Sequence, residues 1–281
     1  MVGGYRFHLS RIALLVLFIA IGAVVLFPFY FLFVASFRPT RDLFNSGFQL
    51  AIHLKQITLN NYHQLLVGNG SMYLAWYKNS VLITALYTIC SLFLSSAVGY
   101  GLGVYVFKGR NLIFTLVLFL LMVPLEILML PLYKLMATIH FMNTYAGVIL
   151  PFVVSPAGVF FFRQYASGIP RDYVDAGRID GCTEYGIYTR IMAPLMRPAF
   201  GAMAILLAMR NWNDFLWPLI VLRTEDMFTI PVGLAGLMSP YYNAYDRLIS
   251  GAVLAIIPLI IVFLFNQKAF VSGLTAGGIK G

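Results

Sequence analysis

The sequence predicts an all-α integral membrane protein of six transmembrane helices, and three observations carry that expectation. Of 281 residues, 60% are apolar, 16% aromatic and only 10% charged. A soluble domain carries roughly 25% charged residues, so a water-facing surface could not be assembled from this composition. The apolar residues also gather in long runs, and a transmembrane helix needs roughly 20 of them. Finally, Lys and Arg fall mostly in the gaps between runs, as loops at a membrane face require. The formal charge of +9 is spread too thinly for nucleic-acid binding. Disorder and coiled coil are excluded on the same composition.

The first predicted span, Ile12 to Phe37, is free of charge. It is about twice the length of the 7–15-residue core of a signal peptide, so a retained anchor is expected. The second is Asn79 to Phe107, and the third is Leu112 to Tyr133, interrupted only by Glu126. The polar residues His140, Asn143 and Thr144 place the start of the fourth at Tyr145, with its end at Phe162. The fifth, Ala199 to Leu222, carries Arg210 and Asp214, and the sixth is Leu248 to Gln267. The chain divides accordingly into an amino-terminal segment with the first span (1–37), an outer loop (38–74), a core (75–267) and a tail (268–281).

Orientation follows from the basic residues. With the amino terminus inside, the inner segments hold Arg6, Arg11, Lys108, Arg110, Arg163, Arg171, Arg178, Arg190, Arg197, Lys268 and Lys280. The outer segments hold Arg38, Arg41, Lys55, Lys78, Lys134, Arg223 and Arg247. Both termini are therefore expected in the cytoplasm. The outer loop contains a short amphipathic stretch, Asn60 to Leu66.

Ser91, Ser95, Gly99 and Gly103 recur every four residues on the second span. Small side chains on one face let a neighbouring helix approach closely, within the bundle or at a subunit contact. Prolines at 28, 124, 131, 151, 156, 218 and 258 remove backbone donors and tend to kink their helices.

Chemistry is sparse. No GxxxxGK[ST] phosphate loop is present, His8, His53, His63 and His140 form no HExxH pair, and no GxSxG elbow occurs. Cys90 and Cys182 form no CxxC motif, so neither a disulfide framework nor a thiolate metal site is expected. No catalytic residue, metal site or cofactor is assigned.

The informative segment is the inner loop at 163–198. Between Arg171 and Arg197 it holds Arg171, Asp172, Asp175, Arg178, Asp180, Glu184, Arg190 and Arg197, with balanced signs. Pro170 suits the start of one short helix, Gly181 its stop, and Thr183 the cap of a second. On that second helix Tyr185, Tyr188, Ile191, Met192 and Leu195 share one side at helical spacing. Such an element suggests a docking surface for a soluble partner.

The run Asp175-Ala176-Gly177-Arg178-Ile179-Asp180-Gly181, with Ile191, Pro194-Leu195 and Pro198 beyond it, resembles the EAA loop of bacterial ABC importer permeases. Asp175 stands where that family usually has Glu, Gly177 where it has Ala, and Cys182 where Ala is common. Asn211-Trp212-Asn213-Asp214-Phe215-Leu216-Trp217-Pro218-Leu219, Thr229 to Leu234 and the glycine-rich tail 273–281 resemble the carbohydrate-uptake, MalG-like subfamily. The stretches 163–197 and 122–130 are similar to its permeases for arabino-oligosaccharides.

The resemblance implies a type I ABC importer permease fold with a cytoplasmic coupling helix, in the bacterial cell membrane. It implies a MalF-like permease partner, a dimer of cytoplasmic ATPase subunits that bind the ATP, an extracellular sugar-binding protein and a sugar substrate. Asp175, Ala176, Gly177, Asp180, Gly181, Glu184, Tyr185 and Tyr188 would couple to the ATPase, and the tail would insert along the ATPase dimer.

Inside the spans, Glu126, Arg210, Asn211, Asn213 and Asp214 have two readings. Arg210 and Asp214, four apart, would share a helix face as a packing salt bridge, or line the pathway. Asn211 and Asn213 could bond sugar hydroxyls, and Trp212 or Trp217 could stack on a ring. The rival functions are an ion-coupled secondary carrier for a small polar solute, which needs intramembrane carboxylates, and a membrane enzyme.

Overall fold

The structure is a computed structural model and describes residues 3–39, 57–68, 70–238 and 244–276. Residues 40–56 and 69 of the outer loop and residues 277–281 of the tail lie outside the described residues. Helices built from the apolar runs dominate. They are α1 (Gly3–Ser36), α2 (Asn60–Leu66), α3 (Tyr73–Val104), α4 (Arg110–Met122), α5 (Leu125–Thr138), α6 (Tyr145–Ile149) and α7 (Pro156–Ser167). They continue as α8 (Asp172–Ile179), α9 (Glu184–Leu195), α10 (Arg197–Trp212), α11 (Leu216–Val221), α12 (Ile230–Gly236) and α13 (Tyr245–Ala276).

Three helices are long and apolar enough to cross a membrane unbroken: Arg11–Ser36, Tyr73–Val104 and Tyr245–Phe265. Three bent pairs raise the number to as many as six. The continuous third span expected from 112 to 133 is instead broken. Val123 is extended ahead of Pro124, and α4 and α5 meet at 103°. A residue before proline is pushed out of the helical region, and proline itself lacks the donor to continue the ladder. The fourth span bends by 44° between residues 152 and 156. There Ser155 is extended and caps α7, its hydroxyl accepting from the Gly158 amide at 3.2 Å. The fifth is interrupted at 213–215, between α10 and α11. Pro28, Pro131 and Pro258 stay inside their helices.

The described chain forms two compact units, Met1–Ser71 with Leu234–Ile256 and Met72–Gly233 with Ile257–Gly281. In the first, the Asn61 amide donates to the carbonyls of Ser36 and Arg38, both at 2.9 Å, closing the end of α1 over α2. The second unit holds the main core. Phe162, Ile187, Met196, Ala199 and Trp217 are fully buried there.

Within that core α3 and α7 pack face to face on the small-residue stripe. A Cβ at Gly99 would lie 2.7 Å from Phe162 Cβ and 2.8 Å from the Val159 carbonyl oxygen. Ser95 Oγ accepts from the Ser155 amide at 3.0 Å across the same contact. The stripe therefore serves packing inside the bundle. At the opposite end of α3, Asn79 donates to the carbonyls of Asp226 (2.7 Å) and Phe228 (3.0 Å), and Trp76 Nε1 donates to Glu225 at 2.8 Å. Ser80 Oγ accepts from the Ile230 amide at 2.8 Å, which ties the start of the Thr229–Leu234 motif to α3.

Candidate functional site

The loop between α7 and α10 folds as two short helices joined by an elbow. Asp172 and Asp175 occupy the first turn of α8 and Arg178 its last, each sign matched to the helix dipole. The elbow is closed by three backbone bonds. Asp180 donates to Ala176 (2.9 Å), Gly181 to Arg178 (3.0 Å) and Cys182 to Gly177 (2.9 Å). The last two, with Gly181 at φ +75°, make a Schellman stop. Thr183 then caps α9, its hydroxyl accepting from Gly186 at 3.1 Å. Sequence reading placed both the stop and the cap at these residues. Helix α8 starts two residues after Pro170, with Arg171 as its cap.

The departure of Gly177 from the Ala usual in the family has a packing cause. A Cβ there would stand 2.7 Å from Ile191 Cδ1 and 3.1 Å from Ile187 Cγ1 on α9. The two helices therefore touch closely at this position.

The side of α9 expected to dock outward is divided. Residues Ile187–Met192 form a π-helical stretch, whose wider turns rotate the side chains. Ile187 and Met192 are buried, and Tyr188 is only 8% exposed. Its hydroxyl hydrogen-bonds Ser96 Oγ at 2.6 Å, and its ring lies 5.2 Å from that of Tyr100. Tyr188 thus anchors the loop to α3 and is not part of an outward face, a correction to the single-sided pattern. Tyr185, one turn earlier, is 69% exposed. Ile179, at the end of α8, is 86% exposed. Ile179 was missed by periodicity because α8 is too short for an apolar stripe. Its signal is an isolated aliphatic between Arg178 and Asp180.

Glu184 is engaged within the chain. Arg178 Nε donates to its carboxylate at 2.8 Å and Tyr105 at 2.5 Å, while Arg178 also reaches Asp175 at 3.3 Å. The Arg178 guanidinium, then the Tyr105 hydroxyl, hold the Glu184 carboxyl below the usual carboxylate range. These two exposed ion pairs among the described residues tie Asp175 and Glu184 to Arg178. Asp175, Ala176 and Asp180 remain exposed.

The second candidate region is a cavity of about 370 Å³. Its wall includes Tyr87 of α3, leucines of α4 and α5, Phe152 and Ser155 at the break before α7, and Arg210, Asn211 and Asp214. It opens where three helices are interrupted, and discontinuous helices leave backbone polar groups free to serve a site. Arg210 and Asp214 line it together, yet they make no ion pair within 4.0 Å among the described residues. Helix α10 ends at Trp212, so the four-residue spacing no longer places them on one helical face.

Asn211 Oδ1 is buried with no hydrogen-bond partner. Asn213 turns back to the Met209 carbonyl at 2.8 Å, outside the cavity. Glu126 is exposed on the first turn of α5 and does not line it. The tryptophans are structural. Trp217 is fully buried and donates to Gly147 at 3.1 Å, and Trp212 packs on Tyr77 at 6.0 Å. No group of His, Cys, Asp and Glu able to hold a metal occurs among the described residues.

Residues 95–275 match the family described as binding-protein-dependent transport system inner membrane component. The chain belongs to this family. Over 276 residues the permease is 56% identical to the arabinooligosaccharides transport system permease protein AraQ of Bacillus subtilis (strain 168), covering 98% of both chains. It is 33% identical to the trehalose/maltose transport system permease protein MalG of Thermococcus litoralis, covering 97% of this chain and 98% of the other. A chain from the crystal structure of a bacterial ABC transporter that imports the acidic polysaccharide alginate has the same fold. The TM-score is 0.79 at 22% identity, over 96% of the permease and 98% of that chain. The ABC permease fold expected from the sequence is thus established, and the ion-coupled carrier is set aside.

Proposed function

We propose that this permease carries oligosaccharides, arabino-oligosaccharides foremost, across the cell membrane as one half of an ATP-driven import pathway. The reading is supported most by the near-full-length similarity to the AraQ permease. The cavity fits it: a sugar hydroxyl could donate to the unpartnered Asn211 Oδ1 and accept from Arg210 or Tyr87, with Asp214 as a second acceptor. The other half is a MalF-like permease. A dimer of ATPase subunits binds and hydrolyses ATP below, this chain itself being non-catalytic and without a cofactor, and an extracellular sugar-binding protein delivers the substrate. Both termini lie in the cytoplasm.

On the coupling loop, Ile179 and Tyr185 are the apolar knobs that enter an ATPase cleft, with Asp175, Ala176 and Asp180 around them. Gly177, Gly181, Glu184 and Tyr188 hold the shape of the elbow. The test is uptake of labelled arabino-oligosaccharides into vesicles containing the two permeases and the ATPase. Uptake should require ATP and the binding protein and should survive an uncoupler. Uptake that persists without ATP and collapses with the uncoupler would overturn the reading.

A further inference from the structure

A second cavity, of about 330 Å³, lies where the end of α3, the start of α4, the end of α7 and the start of α8 converge. Three arginines line it, Arg110, Arg163 and Arg171, together with Gln164 and Ser167, and no acidic residue does. Among the described residues none of the three arginines has a carboxylate within 4.0 Å. Arg110 spends one donor on the Tyr105 carbonyl at 3.0 Å. Arg163 is held differently: its guanidinium lies 3.6 Å over the ring of Phe114, and Phe114 stacks on Phe160 at 6.1 Å. Its Nε is buried with no hydrogen-bond partner.

A buried donor without a partner is costly, and three like charges around one cavity repel one another. Both penalties are relieved by an anion that accepts from several guanidinium groups at once. A phosphate oxygen cluster fits guanidinium geometry closely. The position decides which phosphate. Arg110, Arg163 and Arg171 belong to segments on one side of the membrane in the topology, and Val106, Leu112, Ile113 and Leu116 beside them are exposed and apolar. Basic pockets between transmembrane helices at a membrane face bind lipid headgroups.

We infer that this cavity binds the phosphate of an anionic phospholipid, with the acyl chains running along the outer face of α4. The inference is independent of the transported sugar. It also gives the lipid a place against α8, so an occupied site would brace the coupling loop from behind.

The experiment uses the assembled importer, with both permeases and the ATPase. The complex is exchanged into vesicles of phosphatidylcholine with one-quarter phosphatidylglycerol, re-extracted, and its retained lipid weighed by native mass spectrometry. The wild-type complex should retain phosphatidylglycerol in preference to phosphatidylcholine. Arg163→Gln and Arg110→Gln should each lower that retention about fivefold, whereas Lys134→Gln, outside the cavity, should not. Arg163→Lys should recover only part of it, since a point charge lacks the planar fork. If the Arg163 and Arg110 variants do not assemble, Arg171→Gln, at an exposed position, is read in the same way. Equal retention by wild type and variants would overturn the proposal. So would binding of added inorganic phosphate with no lipid preference, or cross-linking of these arginines to acidic residues of the ATPase in place of lipid.

Discussion

Gly181 illustrates what one residue decides. Its φ of +75° costs glycine nothing, and a Cβ there meets no atom within 4 Å. The penalty for a side chain is therefore backbone strain alone, about 1–3 kcal/mol for a non-glycine residue. Gly181→Val should leave the protein in the membrane and paired with its partner permease, but nearly abolish uptake and substrate-stimulated ATP hydrolysis, and Gly181→Asn should be much milder because Asn tolerates this region. Vesicle uptake with parallel ATPase assays checks both. Glu184 offers a second test. Its carboxyl is depressed in the folded protein by Arg178 and then Tyr105. A depressed acid contributes stability that is present above its unfolded value and lost as pH falls through the folded one. Wild type should melt above Glu184→Gln at neutral pH, and the gap should close on acidification below the ordinary carboxylate range. A gap that stays constant with pH would show that ionisation of Glu184 is not its source.

At the level of elements, close approach replaces apolar area as the organising force. The α3–α7 contact has backbone against backbone at Gly99, where a Cβ would sit 2.8 Å from the Val159 oxygen and 2.9 Å from the Arg163 nitrogen. Backbone cannot yield as a side-chain tip can. Gly99→Val should therefore reduce the yield of folded permease severely, by well over the ~1–3 kcal/mol of ordinary overpacking. Detergent-extracted yield measures it. The α8–α9 contact is softer, because Gly177 faces the mobile end of Ile191. Gly177→Ala should cost about 1 kcal/mol, and Ile191→Val added to it should restore most of the loss. A double-mutant cycle on melting temperature separates this coupling from simple additivity.

Across the second unit, helix α3 links every feature described. Its end meets the coupling loop through Ser96, Tyr100 and, just beyond it, Tyr105. Its middle brings Tyr87 to the cavity. Its start holds the 225–230 segment through Trp76, Asn79 and Ser80. A displacement of the loop can thus travel along one rigid helix to the cavity wall, provided the two hydroxyl links hold. Removing both, with Tyr105→Phe and Tyr188→Phe, should leave ATPase docking intact while lowering sugar moved per ATP hydrolysed by about fivefold. An unchanged ratio would mean that the stroke passes by another route.

Composition and run length alone determined that this chain is helical and embedded in a membrane, because a lipid solvent admits few other solutions for a backbone this apolar. Local rules also reached Gly181 and Thr183, since a helix stop and a cap are satisfied within a few residues. Arg210 and Asp214 were legible as candidates but not as partners. Whether they meet depended on where α10 ends, which packing decides. Tyr188 looked like a docking residue because its spacing matches Tyr185, and only the π-helical stretch and Ser96, 92 positions away, turn it inward. The cavity walls come from helices broken at different points of the chain and brought together by tertiary contact. No local pattern carries that information, because the energy that closes such a site is spent between residues far apart in sequence.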